Sequence, residues 1–211
     1  MFSKSTVQEL LRPFEVGLSD DTIDNLLGYL ALLLRWNLKI NLTSVRSPEE
    51  CITRHFGESF FVSNVVQLHG RLLDIGSGAG FPGLALKLLV PDLEVVLLEP
   101  AAKKRAFLKE VARVCGMGSV RVVGSRVEEF SQQGEPGSFD ILTARAIGGI
   151  ASLIQMASGL LKPGGYVCLW VGSRQVDEIC RMNPGVHWME PVPIPLSQER
   201  QILAGMVRSA E

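Results

Sequence analysis

Short apolar runs alternate with stretches of helical periodicity over the last two-thirds of the chain. The apolar runs have the length of buried strands and predict five of them, at 71–75, 93–98, 119–123, 138–143 and 165–171. The stretches between them predict helices near 82–90, 101–115 and 148–160. After residue 184, two extended pieces at 186–194 and 201–207 predict an antiparallel hairpin at the sheet edge. Because strands that alternate with helices form parallel sheets, we expect an α/β fold whose mostly parallel sheet carries helices on both faces.

The first third of the chain is predicted to be helical. Apolar residues recur at helical spacing over 23–34, shortly after Ser19, which is a favourable N-terminal cap. Ser47 caps a second helix, with a proline at the first helical position. Between the two helices lies a polar, irregular stretch, 36–46, which we interpret either as a cap over a ligand site or as a docking surface.

Length and composition limit the possible organisation. With 211 residues, 46% of them hydrophobic and 20% charged, the chain is long enough for one well-packed domain and an appendage. We therefore divide it into an N-terminal helical extension or cap, 1–68, and a Rossmann-like domain, 69–211. Lysine and arginine number 21 against 22 aspartates and glutamates, so any polyanion site must be a local patch.

The cysteines and the apolar segments indicate a cytoplasmic protein. Cys51, Cys115, Cys168 and Cys180 lack metal-ligand spacing and are interpreted as reduced thiols, and we predict no metal site. The N-terminus does not have the pattern of a signal peptide, and the apolar run 26–34 is shorter than the roughly 20 residues that a bilayer requires. We expect a monomer without membrane contact.

The stretch with the clearest chemical meaning follows the first predicted strand. Gly76, Gly78 and Gly80 let the backbone turn sharply and approach a ligand closely, and Pro82 suits the first turn of a helix. A strand, a glycine loop and a helix start together form a cradle in which backbone N–H groups face the ligand. Asp74, two residues before the loop, is predicted to order the loop through its backbone N–H groups.

An acidic residue supports a nucleotide as the ligand. Glu99 ends the second strand about 20 residues past the glycines, where a carboxylate accepts hydrogen bonds from ribose hydroxyls. The glycine spacing also fits the dinucleotide pattern, so an NAD(P)-dependent oxidoreductase is one reading. That reading lacks an obvious hydride-transfer pair, because the only tyrosines are Tyr29 and Tyr166.

Several motifs together resemble a known family. They are NLTSVR (41–46), TRHF (53–56), LLDIGSGAGFPGLAL (72–86), KKRAFL (103–108), GSRVEEF (124–130), FDILTARA (139–146) and LKPGG (161–165). With them the chain resembles the RsmG (GidB) family of bacterial small-subunit ribosomal RNA guanine-N7 methyltransferases, which are class I S-adenosylmethionine (AdoMet)-dependent methyltransferases. The resemblance implies methyl transfer from AdoMet to N7 of a guanine in 16S ribosomal RNA, with that RNA or the small ribosomal subunit as partner. A non-catalytic RNA-binding module on the same fold is a further reading.

The resemblance also implies cofactor contacts. Beside Asp74 and the loop glycines Gly78 and Gly80, they are expected at Gly76, Phe81, Glu99, Pro100, Val127, Glu128 and Arg145. Phe81 either lies against the adenine or packs against the following helix. The chain departs from the family pattern at Glu58-Ser59-Phe60, where Asp-Ser-Leu is usual, and at Val171, where a lysine is usual.

The acceptor side of the predicted site shows no general base. The fourth strand ends in Thr143-Ala144-Arg145, without the carboxylate or carboxamide that methylation of an exocyclic amine calls for. Guanine N7 already presents a lone pair and needs positioning alone. Arg145 is expected to bind an anion, and pairing with a nearby glutamate is the alternative. No residue is assigned as catalytic with certainty, and positioning is assigned to Arg145, Arg126 and His55.

Basic and polar residues near the predicted mouth of the site are candidates for RNA contacts. They are Asn41, Arg54, His55, Lys104, Arg105 and Arg126. Lys104 and Arg105 fall in the first turn of a helix, where cations oppose the helix dipole, and this favours a functional role. His55 is interpreted either as a packed polar residue or as an RNA contact.

Overall fold

The strands form one sheet. In the computed structural model, which describes residues 2–132 and 136–208, they are β1 (Arg71–Ile75), β2 (Glu94–Leu98), β3 (Val120–Val123), β4 (Phe139–Arg145), β5 (Leu161–Gly172), β6 (Val186–Trp188), β7 (Val192–Pro193) and β8 (Arg200–Val207). The sheet order is β3-β2-β1-β4-β5-β8-β6, and β7 also pairs with β8. The pairs among β1 to β5 are parallel, whereas β8 runs antiparallel to β5, β6 and β7.

Helices connect the strands and precede the sheet. They are α1 (Lys4–Leu11), α2 (Asp20–Asn37), α3 (Pro48–Cys51), α4 (Glu58–Phe60), α5 (Gly83–Leu89), α6 (Ala102–Val114), α7 (Val127–Gln132), α8 (Ile150–Ala157) and α9 (Val176–Met182). A π-helical stretch, Ile52–Gly57, joins α3 to α4, so that 48–64 is one continuous helical segment. The side chains of Ser19 and Ser47 accept the predicted capping hydrogen bonds, from the backbone N–H groups of Thr22 and Glu50.

Two hydrophobic clusters lie on opposite faces of the sheet, because successive side chains of a strand point to opposite sides. In β1, Leu72 joins the cluster that contains α1, α2, α5 and α6. Leu73 and Ile75 join the cluster that contains α7, α8 and α9. The predicted sheet with helices on both faces is therefore confirmed.

The N-terminal helices share their core with the sheet. Tyr29 of α2 and Phe56 of the π-helical stretch are buried in the same cluster as Phe107 of α6 and Leu97 of β2. The predicted boundary near residue 68 lies between the helical segment and β1, and the helices before it cover one face of the sheet. Its use as a domain boundary stays a prediction.

The predicted strands agree with the observed ones to within a few residues, and the antiparallel edge is confirmed. The largest difference is in β5, which begins at Leu161. The LKPGG motif therefore lies in the irregular first part of this strand, where the register against β4 shifts and Gly164 has a φ of 79°. Helix α9 was not predicted. Within 2–132 and 136–208, no helix is both long and apolar enough to cross a bilayer.

Candidate cofactor cleft and substrate-side charge cluster

The glycine loop lies at the carboxyl end of β1, as predicted. Gly76, Gly78 and Gly80 have φ values of 67°, 56° and 87°, which side chains with a Cβ rarely adopt. At Gly76 a Cβ would also lie 2.7 Å from Cδ1 of Ile147. Only glycine therefore fits this position while Ile147 stays in place.

Glu99 connects the glycine loop to the end of β2 by hydrogen bonds. Its carboxylate accepts hydrogen bonds from the backbone N–H groups of Gly78 at 2.9 Å and Ala101 at 2.8 Å, and the side chain is almost fully buried. Each carboxylate oxygen has a second lone pair that these bonds do not use. Glu99 can thus hold the loop and still accept a hydrogen bond from a ligand hydroxyl.

Asp74 lies in β1 directly before the glycine loop and is hydrogen-bonded to both β4 and the loop. Its side chain is fully buried and accepts a hydrogen bond from the Thr143 hydroxyl at 2.8 Å, while its backbone carbonyl accepts one from the Ser77 hydroxyl. Burial raises the pKa of Asp74 from 3.8 to about 6, although the bond from Thr143 opposes this shift. Asp74 is thus linked to the loop through Ser77.

A cleft of about 220 Å³ opens at this edge of the sheet, on the face that carries α7 and α8. Four of the residues predicted to contact the cofactor line it, namely Gly76, Pro100, Val127 and Glu128. Ser125 also lines it, and its hydroxyl is buried without a hydrogen-bond partner among the described residues. A buried polar atom of this kind is satisfied by a ligand or water.

The residues of the cleft fit AdoMet. Leu98, Val127 and Ile147 supply an apolar surface suited to an adenine ring. Glu99 stands between two lining residues, where it can reach ribose hydroxyls. The unpaired Ser125 hydroxyl offers a further polar contact. Contacts of individual residues with AdoMet stay predictions.

Gly80 and Phe81 face the N-terminal helices. The Phe81 ring stacks on Tyr29, with centroids 5.2 Å apart and planes 6° apart, and on His55 at 4.8 Å and 20°. The Tyr29 hydroxyl donates to the carbonyl of Ala79, between Gly80 and the rest of the loop. Phe81 therefore packs against the N-terminal helices, whereas the alternative prediction was the helix that follows it, and it does not line the cleft.

Arg145, at the end of β4, belongs to a buried charge cluster. Its Nη2 donates to the Glu58 carboxylate at 3.0 Å and to the backbone carbonyl of Arg54 at 2.8 Å. The same carboxylate accepts hydrogen bonds from Nη2 of Arg200 at 2.6 Å and from its Nε at 3.2 Å. The pairing with a nearby glutamate that the sequence left open is thus present. Nη1 of Arg145 is buried without a partner among the described residues, and binding of an anion by this residue stays a prediction.

His55 is a packed and neutral residue in this structure. Its Nε2 lies 2.8 Å from the Thr43 hydroxyl, which joins the 36–46 stretch to the helical segment. Burial, and then the charges of Arg145, Arg54 and Arg200, lower the pKa of His55 from 6.5 to about 3. His55 therefore carries no charge that could attract a phosphate near neutral pH.

The other residues that are predicted to contact RNA differ in their exposure and in their hydrogen bonds to the rest of the protein. Asn41 and Arg126 are exposed, and Arg126 lines the cofactor cleft. Lys104 is half-buried in the first turn of α6. Nη1 of Arg105 donates to the carbonyls of Glu99 and Pro100, so the cation that opposes the α6 dipole stabilises the end of β2. Their contacts with RNA stay predictions.

Sequence reasoning missed three residues that organise this region. Glu58 was noted only as a departure from the family pattern, Tyr29 only as one of two tyrosines, and Arg200 not at all. The one available signal for Glu58 was an acidic residue between apolar residues, two positions after the TRHF motif. Arg200 gave no signal, because it reaches the site from the antiparallel edge of the sheet.

The fold and the cleft define the class of protein. The structure is similar to that of a SAM-dependent methyltransferase from Aquifex aeolicus, with a TM-score of 0.61 and 14% identity over 74% of this chain and 93% of that chain. It is also similar to P. horikoshii TYW2 in complex with MeSAdo, with a TM-score of 0.60 and 13% identity over 74% and 63% of the two chains. The fold is that of the class I AdoMet-dependent methyltransferases, as predicted.

Sequence comparison then identifies the family. Residues 22–193 match the model of the family described as rRNA small subunit methyltransferase G. Proteins named ribosomal RNA small subunit methyltransferase G are 38% identical over 89% of this chain and 88% of the relative in Stenotrophomonas maltophilia (strain K279a), and 39% identical over 82% and 74% in Desulfitobacterium hafniense (strain Y51). The chain belongs to this family and is an AdoMet-dependent methyltransferase. The oxidoreductase and the non-catalytic module are not favoured.

Proposed function

We propose that this chain transfers the methyl group of AdoMet to N7 of a guanine in small-subunit ribosomal RNA. The names of its relatives support small-subunit ribosomal RNA as the substrate. The acceptor atom is inferred from the chemistry of the site. AdoMet supplies an activated methyl group, so the protein has to bind and orient the two reactants.

The observation that carries the proposal is that, among the described residues, no side chain at the end of β4 is available as a base. Thr143 is fully buried and donates its hydroxyl to Asp74, and Arg145 is paired with Glu58. Methylation of an exocyclic amine would require a group there that accepts its N–H bonds. Guanine N7 has no proton to lose, so this arrangement suits it.

The cysteines do not support methylation of a pyrimidine carbon, which uses a thiolate nucleophile. Burial raises the pKa of Cys51 and of Cys115 to about 11, and that of Cys168 to about 12. These thiols are protonated and inward-facing at neutral pH.

The ion pair at the end of β4 also suits the charge that develops. Transfer to N7 leaves a cationic base, which an unpaired guanidinium would repel. Because Glu58 lies against both Arg145 and Arg200, it offsets part of their charge.

Exposed basic residues such as Lys103 and Arg126 supply phosphate contacts that would make RNA binding salt-dependent. Cytoplasmic location and a monomeric state belong to the same proposal.

Transfer of labelled methyl from AdoMet to small-subunit RNA tests the proposal. Deproteinised RNA and intact small subunits are incubated separately, and the modified nucleoside is identified by mass spectrometry after digestion. We expect 7-methylguanosine at one position in at least one of the two substrates. A different methylated nucleoside would contradict the acceptor assignment, and transfer to neither substrate would contradict the function.

A further inference from the structure

A second cavity, of about 480 Å³, opens between the helical segment 48–64 and the loop 195–200. Its volume lies in the range of about 300–1,000 Å³ that small-molecule sites occupy. Arg54 and Glu50 line it from the helical segment, and Leu196 and Arg200 line it from the loop. Nothing in the cofactor cleft uses these residues.

The charges of the cavity do not suit a phosphate. Two arginines, Arg54 and Arg200, and three glutamates, Glu50, Glu58 and Glu199, line it, and Arg145 pairs with Glu58 from outside the lining, so the charges balance at 3 − 3 = 0. A phosphate would meet no excess of positive charge there. A neutral ligand that carries both hydrogen-bond donors and acceptors is the better match.

One ion pair presents both kinds of group to the cavity. Nη1 of Arg54 donates to Oε1 of Glu50 at 2.6 Å, and the two side chains are 42% and 43% exposed. A carboxylate accepts several hydrogen bonds, and a guanidinium donates up to five. The pair can therefore keep its mutual bond and offer an acceptor and a donor side by side.

Guanine has the complementary edge. Its Watson–Crick edge presents the acceptor O6 beside two donors, N1–H and the N2 amino group, whereas adenine presents a donor beside an acceptor. A glutamate that accepts from N1–H and N2–H, next to an arginine that donates to O6, selects guanine. This mode leaves N7 free, which the proposed reaction requires.

The loop 195–200 holds an apolar side chain at the rim of the cavity. Leu196 is 71% exposed and has a φ of 61°, which is uncommon for a residue with a side chain. The conformation is maintained because the backbone N–H of Ser197 donates to the carbonyl of Ile194 and that of Arg200 to the Ser197 hydroxyl. An exposed leucine held in a strained backbone is a feature of binding sites, where it can lie against a base.

Two cavity residues are bonded directly to the end of β4. Arg145 donates hydrogen bonds to the carbonyl of Arg54 and to the carboxylate of Glu58, and Ile147 and Gly148, shortly after Arg145, line the cofactor cleft. A base held in the cavity therefore contacts residues that are bonded to the strand end at which the reaction takes place in the proposed function.

We propose that this cavity binds the acceptor guanine of the RNA by its Watson–Crick edge, with Glu50 accepting from N1–H and N2–H and Arg54 donating to O6. This inference rests on the proposed function and adds the residues that select the base.

The test compares Glu50→Ala with Glu49→Ala. The two glutamates are adjacent in the first turn of α3, so both variants lose the same charge near the same helix end, but only Glu50 lines the cavity. At saturating AdoMet we expect Glu50→Ala to lower kcat/KM for small-subunit RNA about tenfold to a hundredfold, the range for loss of hydrogen bonds to a charged group. Glu49→Ala should change it less than about twofold, and AdoMet affinity should stay constant in both.

Nucleoside competitors at saturating AdoMet give a readout that depends on the base and carries no phosphate. Guanosine, inosine and adenosine should inhibit wild-type transfer in that order, since inosine lacks the N2 amino group. The three nucleosides should inhibit Glu50→Ala equally. If the wild type forms 7-methylguanosine while Glu50→Ala behaves like Glu49→Ala, or if the three nucleosides inhibit the wild type equally, the assignment of this cavity is overturned and the function stands. If the wild type methylates no guanine, both proposals are overturned.

Discussion

The cofactor cleft and the buried charge cluster of Glu58, Arg145 and Arg200 (the Glu58 cluster) lie at the same edge of the sheet. They differ in the chemical groups that form them. The cleft consists mainly of residues that lie at or shortly after the ends of β1, β2, β3 and β4, with an apolar surface and a few polar side chains such as Ser125. The cluster consists of charged side chains, with Glu58 separated by 87 residues from Arg145 and by 142 from Arg200. The first region depends on local backbone geometry, and the second depends on the whole fold being in place.

This difference has an energetic consequence. Glycine positions and a carboxylate bonded to backbone N–H groups can be changed with effects mainly on ligand binding. A buried carboxylate that neutralises two arginines cannot be removed without leaving their charges uncompensated. Stability should therefore be concentrated in the Glu58 cluster and cofactor affinity in the cleft, and four predictions test this separation.

The largest effect is expected for Glu58→Gln. The carboxylate is 2% exposed and pairs with Arg145 and Arg200, so its loss leaves two guanidinium groups without a counter-charge. We expect the free energy of unfolding to fall by about 3–5 kcal/mol, measured by denaturant titration. Glu9→Gln, which breaks an exposed pair with Arg12, should cost about 0.5 kcal/mol or less. Comparable losses of unfolding free energy in the two variants would show that the Glu58 cluster contributes no more to stability than an exposed ion pair.

The pH dependence of stability should have opposite signs in the two regions. Asp74 has a pKa of about 6 in the folded protein against 3.8 as its ordinary value, so between these pH values the folded state holds a proton that the unfolded state lacks. Its contribution to stability therefore rises as pH falls through this window. His55 has a pKa of about 3 against 6.5, so the unfolded state is protonated first and the His55 contribution is lost as pH falls below 6.5.

Two variants separate these contributions. Relative to wild type, Asp74→Asn should lose stability more steeply between pH 6 and 4, and His55→Gln less steeply between pH 6.5 and 3. Each difference should reach up to about 1.4 kcal/mol per pH unit. The measurement is the free energy of unfolding across this pH range. Slopes that shift in the same direction in both variants would show that the two residues do not titrate as their environments imply.

Gly76→Val should act on the cleft. The new side chain would displace Ile147 from the cleft wall and would also strain a backbone at φ 67°. We expect AdoMet affinity to fall at least about tenfold to a hundredfold, measured by calorimetry, with the protein still folded. Gly116→Val is the matched control, because it imposes a similar strain at φ 60° with no atom close to the new Cβ. A similar loss of affinity in the control would indicate a general effect of backbone strain.

The same contrast explains how much the sequence could predict. The glycine loop and Glu99 were predicted in their observed places, because a strand end, its loop and the next strand end follow from local patterns. The sequence predicts an anion as the partner of Arg145 and a nearby glutamate as the alternative. It does not identify Glu58 as that glutamate, because only the packing of the helical segment brings Glu58 to Arg145. Arg105 is predicted to contact RNA because a cation in the first turn of a helix opposes the helix dipole. Its observed hydrogen bonds go to the carbonyls of Glu99 and Pro100, and only folding brings these carbonyls to it.

Tyr29 links the glycine loop to the N-terminal helix α2 and gives the smallest predicted effect. Burial raises the pKa of its hydroxyl, so the group remains a donor to the carbonyl of Ala79 in the glycine loop. Tyr29→Phe keeps the stacking with Phe81 but leaves that carbonyl without its partner, at a cost of about 1–2 kcal/mol in stability. Tyr166→Phe on β5 makes the same chemical change away from the loop. If AdoMet affinity also falls severalfold in Tyr29→Phe alone, the N-terminal helices position the loop. If affinity is unchanged, those helices cover the sheet without influencing the cleft.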